Sequence, residues 1–203
     1  MRHFRPYIGD PELREQIRGF IGQEGFHSHE HRHYNQWIKG KGYDIDRLEK
    51  IFEGRIALGN KYNSKLMQLA MTAGLEHLTA IMADNILRNP QLMADAHPVM
   101  QKIWRWHAVE EAEHKAVAFD VYQQMGGGYW MRVYAFLLIS IFLPIDILTG
   151  MFHMLKKDGL LFSAKAWWSG TKFLWGKQGF LRRIIPAYFS YLKPGFHPWQ
   201  HNN

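Results

Sequence analysis

Apolar residues recur along this chain at intervals of three and four, the period of an amphipathic helix, and no stretch alternates convincingly as a strand would. Asp10-Pro11 opens the first predicted helix, with aspartate as N-cap and proline at the first helical position, where its missing N–H is harmless. That helix should run to about Trp37 and end at Gly40 and Gly42. Asp44 and Asp46 offer caps for a shorter segment in which Ile45, Leu48, Ile51, Phe52 and Ile56 keep the helical period. Leu66, Leu69, Ala70, Ala73, Leu78 and Met82 predict a long core helix from about Lys61 to Leu87, carrying Glu76. Asn89-Pro90 predicts a short helical turn, and His97-Pro98 restarts the chain as a long helix that Gly126-Gly127-Gly128 terminates. Three further helices are predicted near Tyr129–Leu155, Leu160–Trp175 and Phe180–Leu192. The fold class is therefore all-α, divided at the glycine triplet into a bundle over 1–128 and apolar, basic helices over 129–203.

Composition narrows the chemistry. With 203 residues and 47% hydrophobic content the chain can bury a substantial core. There is no cysteine, which excludes thiol catalysis, iron–sulfur clusters and zinc ribbons; any metal must be held by nitrogen and oxygen. Twelve histidines beside carboxylates suit iron, manganese or zinc better than calcium or magnesium.

The formal charge of +7 is concentrated at one end. From Tyr129 onward, Arg132, Lys156, Lys157, Lys165, Lys172, Lys177, Arg182, Arg183 and Lys193 face only two acids, Asp146 and Asp158. That third also holds five of the eight tryptophans and the most apolar run, which fits peripheral contact with an anionic membrane or acidic partner better than nucleic-acid recognition. Val133 to Ile145 is 13 residues without a charge, short of the roughly 20 that a spanning helix needs, so a buried or interfacial helix is the expectation. Met1 to Asp10 holds no apolar core segment of a secretory signal, and a cytoplasmic location follows as the default.

Two Glu-x-x-His pairs carry the candidate chemistry: Glu24/His27 and Glu111/His114. At about 100° per residue, His107, Glu111 and His114 fall within about 60° on one helix face, and so do Glu24, His27 and His31. In carboxylate-bridged di-metal bundles one Glu comes from each of two helices and a Glu-x-x-His from each of the other two. Here Glu76 supplies one single Glu. The helix carrying the other should precede Asp10, and ten residues cannot make it. A bundle lacking that helix would expose apolar surface and favour self-association as a homodimer. The expected metal ligands are Glu24, His27, Glu76, His107, Glu111 and His114, with His31, Glu110 and His77 as candidates for the surrounding hydrogen-bonding layer.

Gly22-Gln23-Glu24-x-x-His27, Glu76-His77 and Trp106-x3-Glu110-Glu111-x-Glu113-His114 resemble the bacterial family described as predicted metal-dependent hydrolases, over nearly the whole chain down to Gly195-Phe196-His197-Pro198. The spacing of His107, Glu111 and His114 is also similar to that of the ferritin-like di-iron arylamine N-oxygenases, where an additional histidine joins the ligand set. That second resemblance implies a ferritin-like bundle holding two divalent ions, iron ahead of manganese or zinc. It also implies dioxygen-dependent oxidation of a small or lipid-like organic substrate. The first implies hydrolysis by a metal-activated water. A truncated, non-catalytic metal-binding bundle is the remaining alternative.

Overall fold

In the computed structural model, which describes residues 1–201 with only the backbone of His114 and His201, the chain is all-α. Among the described residues the helices are α1 (Pro11–Gly40), α2 (Ile45–Tyr62), α3 (Lys65–Arg88), α4 (Pro98–His114), α5 (Val117–Gln124), α6 (Tyr129–Lys157), α7 (Ala164–Trp175) and α8 (Phe180–Ser190). Local chemistry sets most of the starts. Asp10 accepts a hydrogen bond from the Glu12 amide at 2.9 Å, Ser64 from that of Met67 at 3.1 Å and Ser163 from that of Ala166 at 3.2 Å. Each satisfies one of the amides that a helix N-terminus leaves without an internal partner.

The central element is α3, which packs on α4, α5, α6 and α8. It is apolar on nearly every side, with Leu69, Ala70, Ala73, Leu78 and Ile81 buried, as a helix surrounded by others must be. One core joins Ile8, Ile17, Leu69, Val121, Tyr122 and Ala135. A second joins Ala73, Phe119, Phe136, Tyr191 and Phe196, so the C-terminal tail returns to seal α3 against the first turns of α6. Arg132 is buried in this seam, its guanidinium 5.0 Å from the Tyr191 ring while Nη2 donates to the Lys193 carbonyl at 2.7 Å.

One expectation changes. The helix after His97-Pro98 does not run unbroken to the glycine triplet; it turns at Lys115–Ala116 and resumes as α5. The apolar run that follows has to be covered on both sides, Val117 and Val121 in the first core and Ala118 and Phe119 in the second, and the turn re-aims the chain between them. The glycine triplet then works as expected. Gly126 adopts φ +76°, and a Cβ on Gly127 would stand 2.3 Å from the Tyr122 ring. In the C-terminal third, Trp168, Phe173 and Trp175 are exposed on α7, which packs on α8.

Candidate metal centre

Two long helices bring the donors together. On α1, His27 is buried while Glu24, one turn earlier, stays partly exposed. The facing surface of α4 carries His107, Glu110 and Glu111, with Glu111 buried and His107 mostly covered. Glu111 Oε1 lies 3.7 Å from His27 Nδ1 and 3.5 Å from His107 Nε2. One donor atom from each of His27, His107 and Glu111 fits within a sphere of mutual separation 4.8 Å.

These separations can be compared with what a cation requires. Metal–ligand bonds of about 2.0–2.1 Å in a tetrahedron place neighbouring donors about 3.4 Å apart. Both histidines stand only a few tenths of an ångström wider than this from Glu111, and all three donors lie within 4.8 Å of one another, so closing on one ion requires the two imidazoles to be drawn together by side-chain adjustment. Two imidazoles and a carboxylate, with a further position left open, also form a donor set found in catalytic zinc sites. The residues fit a divalent cation.

A layer of hydrogen bonds holds this set. Glu110 Oε2 is 2.8 Å from His27 Nε2. An ionised carboxylate can only accept, so Nε2 donates to Glu110, which leaves Nδ1, 3.7 Å from Glu111 Oε1, as the nitrogen available to a cation. The rings of Trp106 and Trp104 meet His27 and His107 edge-on, at centroid distances of 5.6 and 5.8 Å. On the rim, Gln23 donates to Glu113 at 3.1 Å, tying α1 to α4 outside the cluster. Burial, reinforced by the neighbouring His27, holds the His107 pKa below the usual imidazole value, against the opposing pull of Glu111. A neutral imidazole is the form that binds a metal.

The remaining expected residues fall in different places. Glu24 Oε1 is 3.5 Å from His27 Nδ1 and lines a cavity of about 560 Å³ with Phe20, Ile21, Lys65, Gln68 and Leu69. Glu76 is buried on α3, the helix against which α4 packs, and does not join the three-donor set among the described residues. The side chain of His114 lies outside the described residues. His31 is exposed, with its ring 5.5 Å from that of His107. His77 points elsewhere, its Nε2 3.1 Å from the Ala187 carbonyl and its ring 4.8 Å from Tyr191. Its part is in the α3–α8 packing.

The hold of Glu110 on His27 is the feature that spacing could not supply. Along α4, Glu111 has the better register with His107 and His114, and nothing local says that its neighbour meets a helix 83 residues away.

No curated protein and no solved structure matches the chain. A family model does, over residues 1–202, and with that match added to the nitrogen and oxygen donors gathered between α1 and α4, the chain belongs to the family of predicted metal-dependent hydrolases.

Proposed function

We propose that the chain is a hydrolase whose divalent cation, zinc or manganese, is held by His27, His107 and Glu111. The observation that carries this reading is the convergence of those three donors, with His27 oriented by Glu110. A bound cation would lower the pKa of a water and polarise the bond to be cleaved. Glu24, beside the donors and facing the cavity, would accept the proton of the attacking water at Oε1 and pass it to the leaving group. The apolar wall of Phe20, Ile21 and Leu69 seats the organic part of a small substrate and limits access of bulk water. The alternative of dioxygen chemistry at two iron ions rests on the spacing of His107, Glu111 and His114 alone, and the family match favours hydrolysis over it.

The test is hydrolysis of a panel of nitrophenyl esters and phosphate esters by zinc- and manganese-loaded protein. His107→Ala should lose metal and activity together. Glu24→Gln should keep the metal and lose activity by about 10²–10⁴-fold, the usual worth of a positioned acid–base group. Activity that survives chelation, or metal uptake below one ion per chain, would refute the proposal; oxygen consumption by ferrous protein would revive the oxidase alternative.

We also propose that the C-terminal third docks on an anionic membrane surface. By length and composition α6 could cross a membrane, and little of its most apolar stretch is buried by other helices. Its C-terminal half is nevertheless tied to α2 and its flanking loop: Arg55 pairs with Asp146, the Asp44 amide donates to His153 at 3.1 Å and Tyr43 to Asp158 at 2.6 Å. Those polar ties suit a helix lying along an interface. Phe162 and Trp168, 95% and 73% exposed, stand among Lys156, Lys157, Lys165 and Lys172 in the neighbouring segment, a pairing that anionic lipid headgroups complement. Cosedimentation with phosphatidylserine vesicles should be salt-sensitive and should weaken in Phe162→Ser/Trp168→Ser. Absence of vesicle binding, with a stable dimer in sedimentation velocity instead, would overturn it.

A further inference from the structure

His27, His29, His31 and His33 alternate with other residues along α1, and a step of two residues on a helix is about 200°. The four imidazoles therefore part into two i, i+4 pairs on opposite faces. His27 and His31 turn toward α4, where their rings lie 4.2 and 5.5 Å from that of His107. His29 and His33 are left on the solvent side, both exposed, with ring centres 4.4 Å apart and Nε2 atoms 3.1 Å apart. Only the first pair borders the centre described above.

The separation of the outer pair is close to what a shared cation requires. Bonds of about 2.0–2.1 Å place two donors about 2.9 Å apart at right angles and about 3.4 Å apart in a tetrahedron. The His29 and His33 nitrogens stand between those values, closer together than either histidine of the buried centre stands to Glu111. Without an ion one ring donates to the other, and a change of tautomer in the donor presents both Nε2 lone pairs to a metal. The helix already fixes the two Cα positions, so chelation orders only side-chain rotamers. Charge nearby is balanced, since Glu30 and Arg32 both lie between the two histidines, and Arg32 Nη1 donates to Ser28 Oγ at 2.7 Å.

We propose that His29 and His33 form a second metal site, separate from the centre of His27, His107 and Glu111, and that it takes a divalent transition ion. Two neutral imidazoles with water at the remaining positions favour copper(II) ahead of nickel(II) and zinc(II), and they suit neither magnesium nor calcium, which take oxygen donors. Because both rings are exposed, the other positions on the ion are open to solvent and to an outside ligand. The proposal stands without the hydrolase reading, and its test is arranged so that the two sites fail separately.

Untagged protein should be retained on immobilised copper(II), which exposed donors can reach and buried ones cannot, and His29→Ala and His33→Ala should elute at much lower imidazole concentration. Both substituted side chains are exposed and alanine favours the helix, so the variants fold. Calorimetric titration with nickel(II) should show the same site, weakened about 100-fold in either variant, since a two-point chelate falls to single-point binding. His107→Ala should leave this affinity unchanged, whatever it does to the buried centre. His31→Ala, which removes a histidine from the other face, should bind nickel(II) here as the wild type does. A loss in His31→Ala equal to that in His33→Ala would overturn the fixed pair in favour of a loose histidine cluster. A wild type that copper(II) does not retain, unchanged nickel(II) affinity in His33→Ala, or magnesium binding as tight as nickel(II) would each overturn the proposal as well.

Discussion

Replacing Glu110 by glutamine tests the centre at the hydrogen bond that sets the direction of its α1 histidine. The carboxylate meets His27 Nε2 at 2.8 Å, and its charge both fixes the tautomer and raises the basicity of Nδ1. Glutamine has nearly the same size but no charge, and its amide group can face the ring with the wrong polarity. Losing such a partner typically weakens metal binding by about 10–100-fold, or about 1.4–2.7 kcal/mol. Affinity for zinc can be measured by competition with a fluorescent chelator, and it should fall in the order wild type, Glu110→Gln, His107→Ala. Glu113→Gln is the control, since Glu113 is exposed and bonded to Gln23. The assay should be run in a His33→Ala background, because exposed His29 and His33 bring their Nε2 atoms to 3.1 Å and can chelate zinc on the surface. Equal zinc affinity in wild type and Glu110→Gln would refute the orientation argument, as would a nitrogen spectrum showing the His27 proton on Nδ1.

Two further outcomes follow from the same structure. The lowered His107 pKa means that the unfolded chain takes up this proton first as pH falls below about 6.5. Stability of the metal-free protein should therefore be lost as pH drops from there through the folded-state pKa, and a melting series should show a shallower decline in His107→Gln; identical slopes would contradict the burial of a neutral imidazole. Gly127→Ala would drive a methyl to 2.3 Å from the buried Tyr122 ring, whose hydroxyl donates to the Gly128 carbonyl at 2.7 Å. Overpacking of this kind costs about 1–3 kcal/mol, and with about 2–4 °C lost per kcal/mol an unchanged melting temperature would show that the turn yields.

Helix positions were legible because their causes are local. Asp10-Pro11 and the glycine triplet act through neighbouring amides or through φ, and a reader of the sequence can see each, whereas the Ser64 cap sets α3 to start at Lys65 rather than at about Lys61. The turn at Lys115–Ala116 contains neither glycine nor proline, and it follows from how the Val117–Tyr122 run is shared between two cores. The same distinction divides the centre. Helical periodicity alone puts His107 and Glu111 on one face, whereas the meeting of His27 with Glu110 depends on how α1 crosses α4.

The α6 run shows the limit most plainly. A stretch of apolar residues reads alike whether it ends in a protein core or at a bilayer, because hydrophobicity has magnitude but no address. Ala135 and Phe136 are fully covered by other helices, while Ile141, Phe142 and Ile147 a few turns later face outward. By itself, then, the order of residues determined an all-helical chain, a metal chemistry restricted to imidazole and carboxylate, and the stripes that carry the donors. The tertiary structure decided which stripes meet, which carboxylate holds which histidine, and which apolar surface is left uncovered, since those outcomes depend on contacts between residues far apart in the chain.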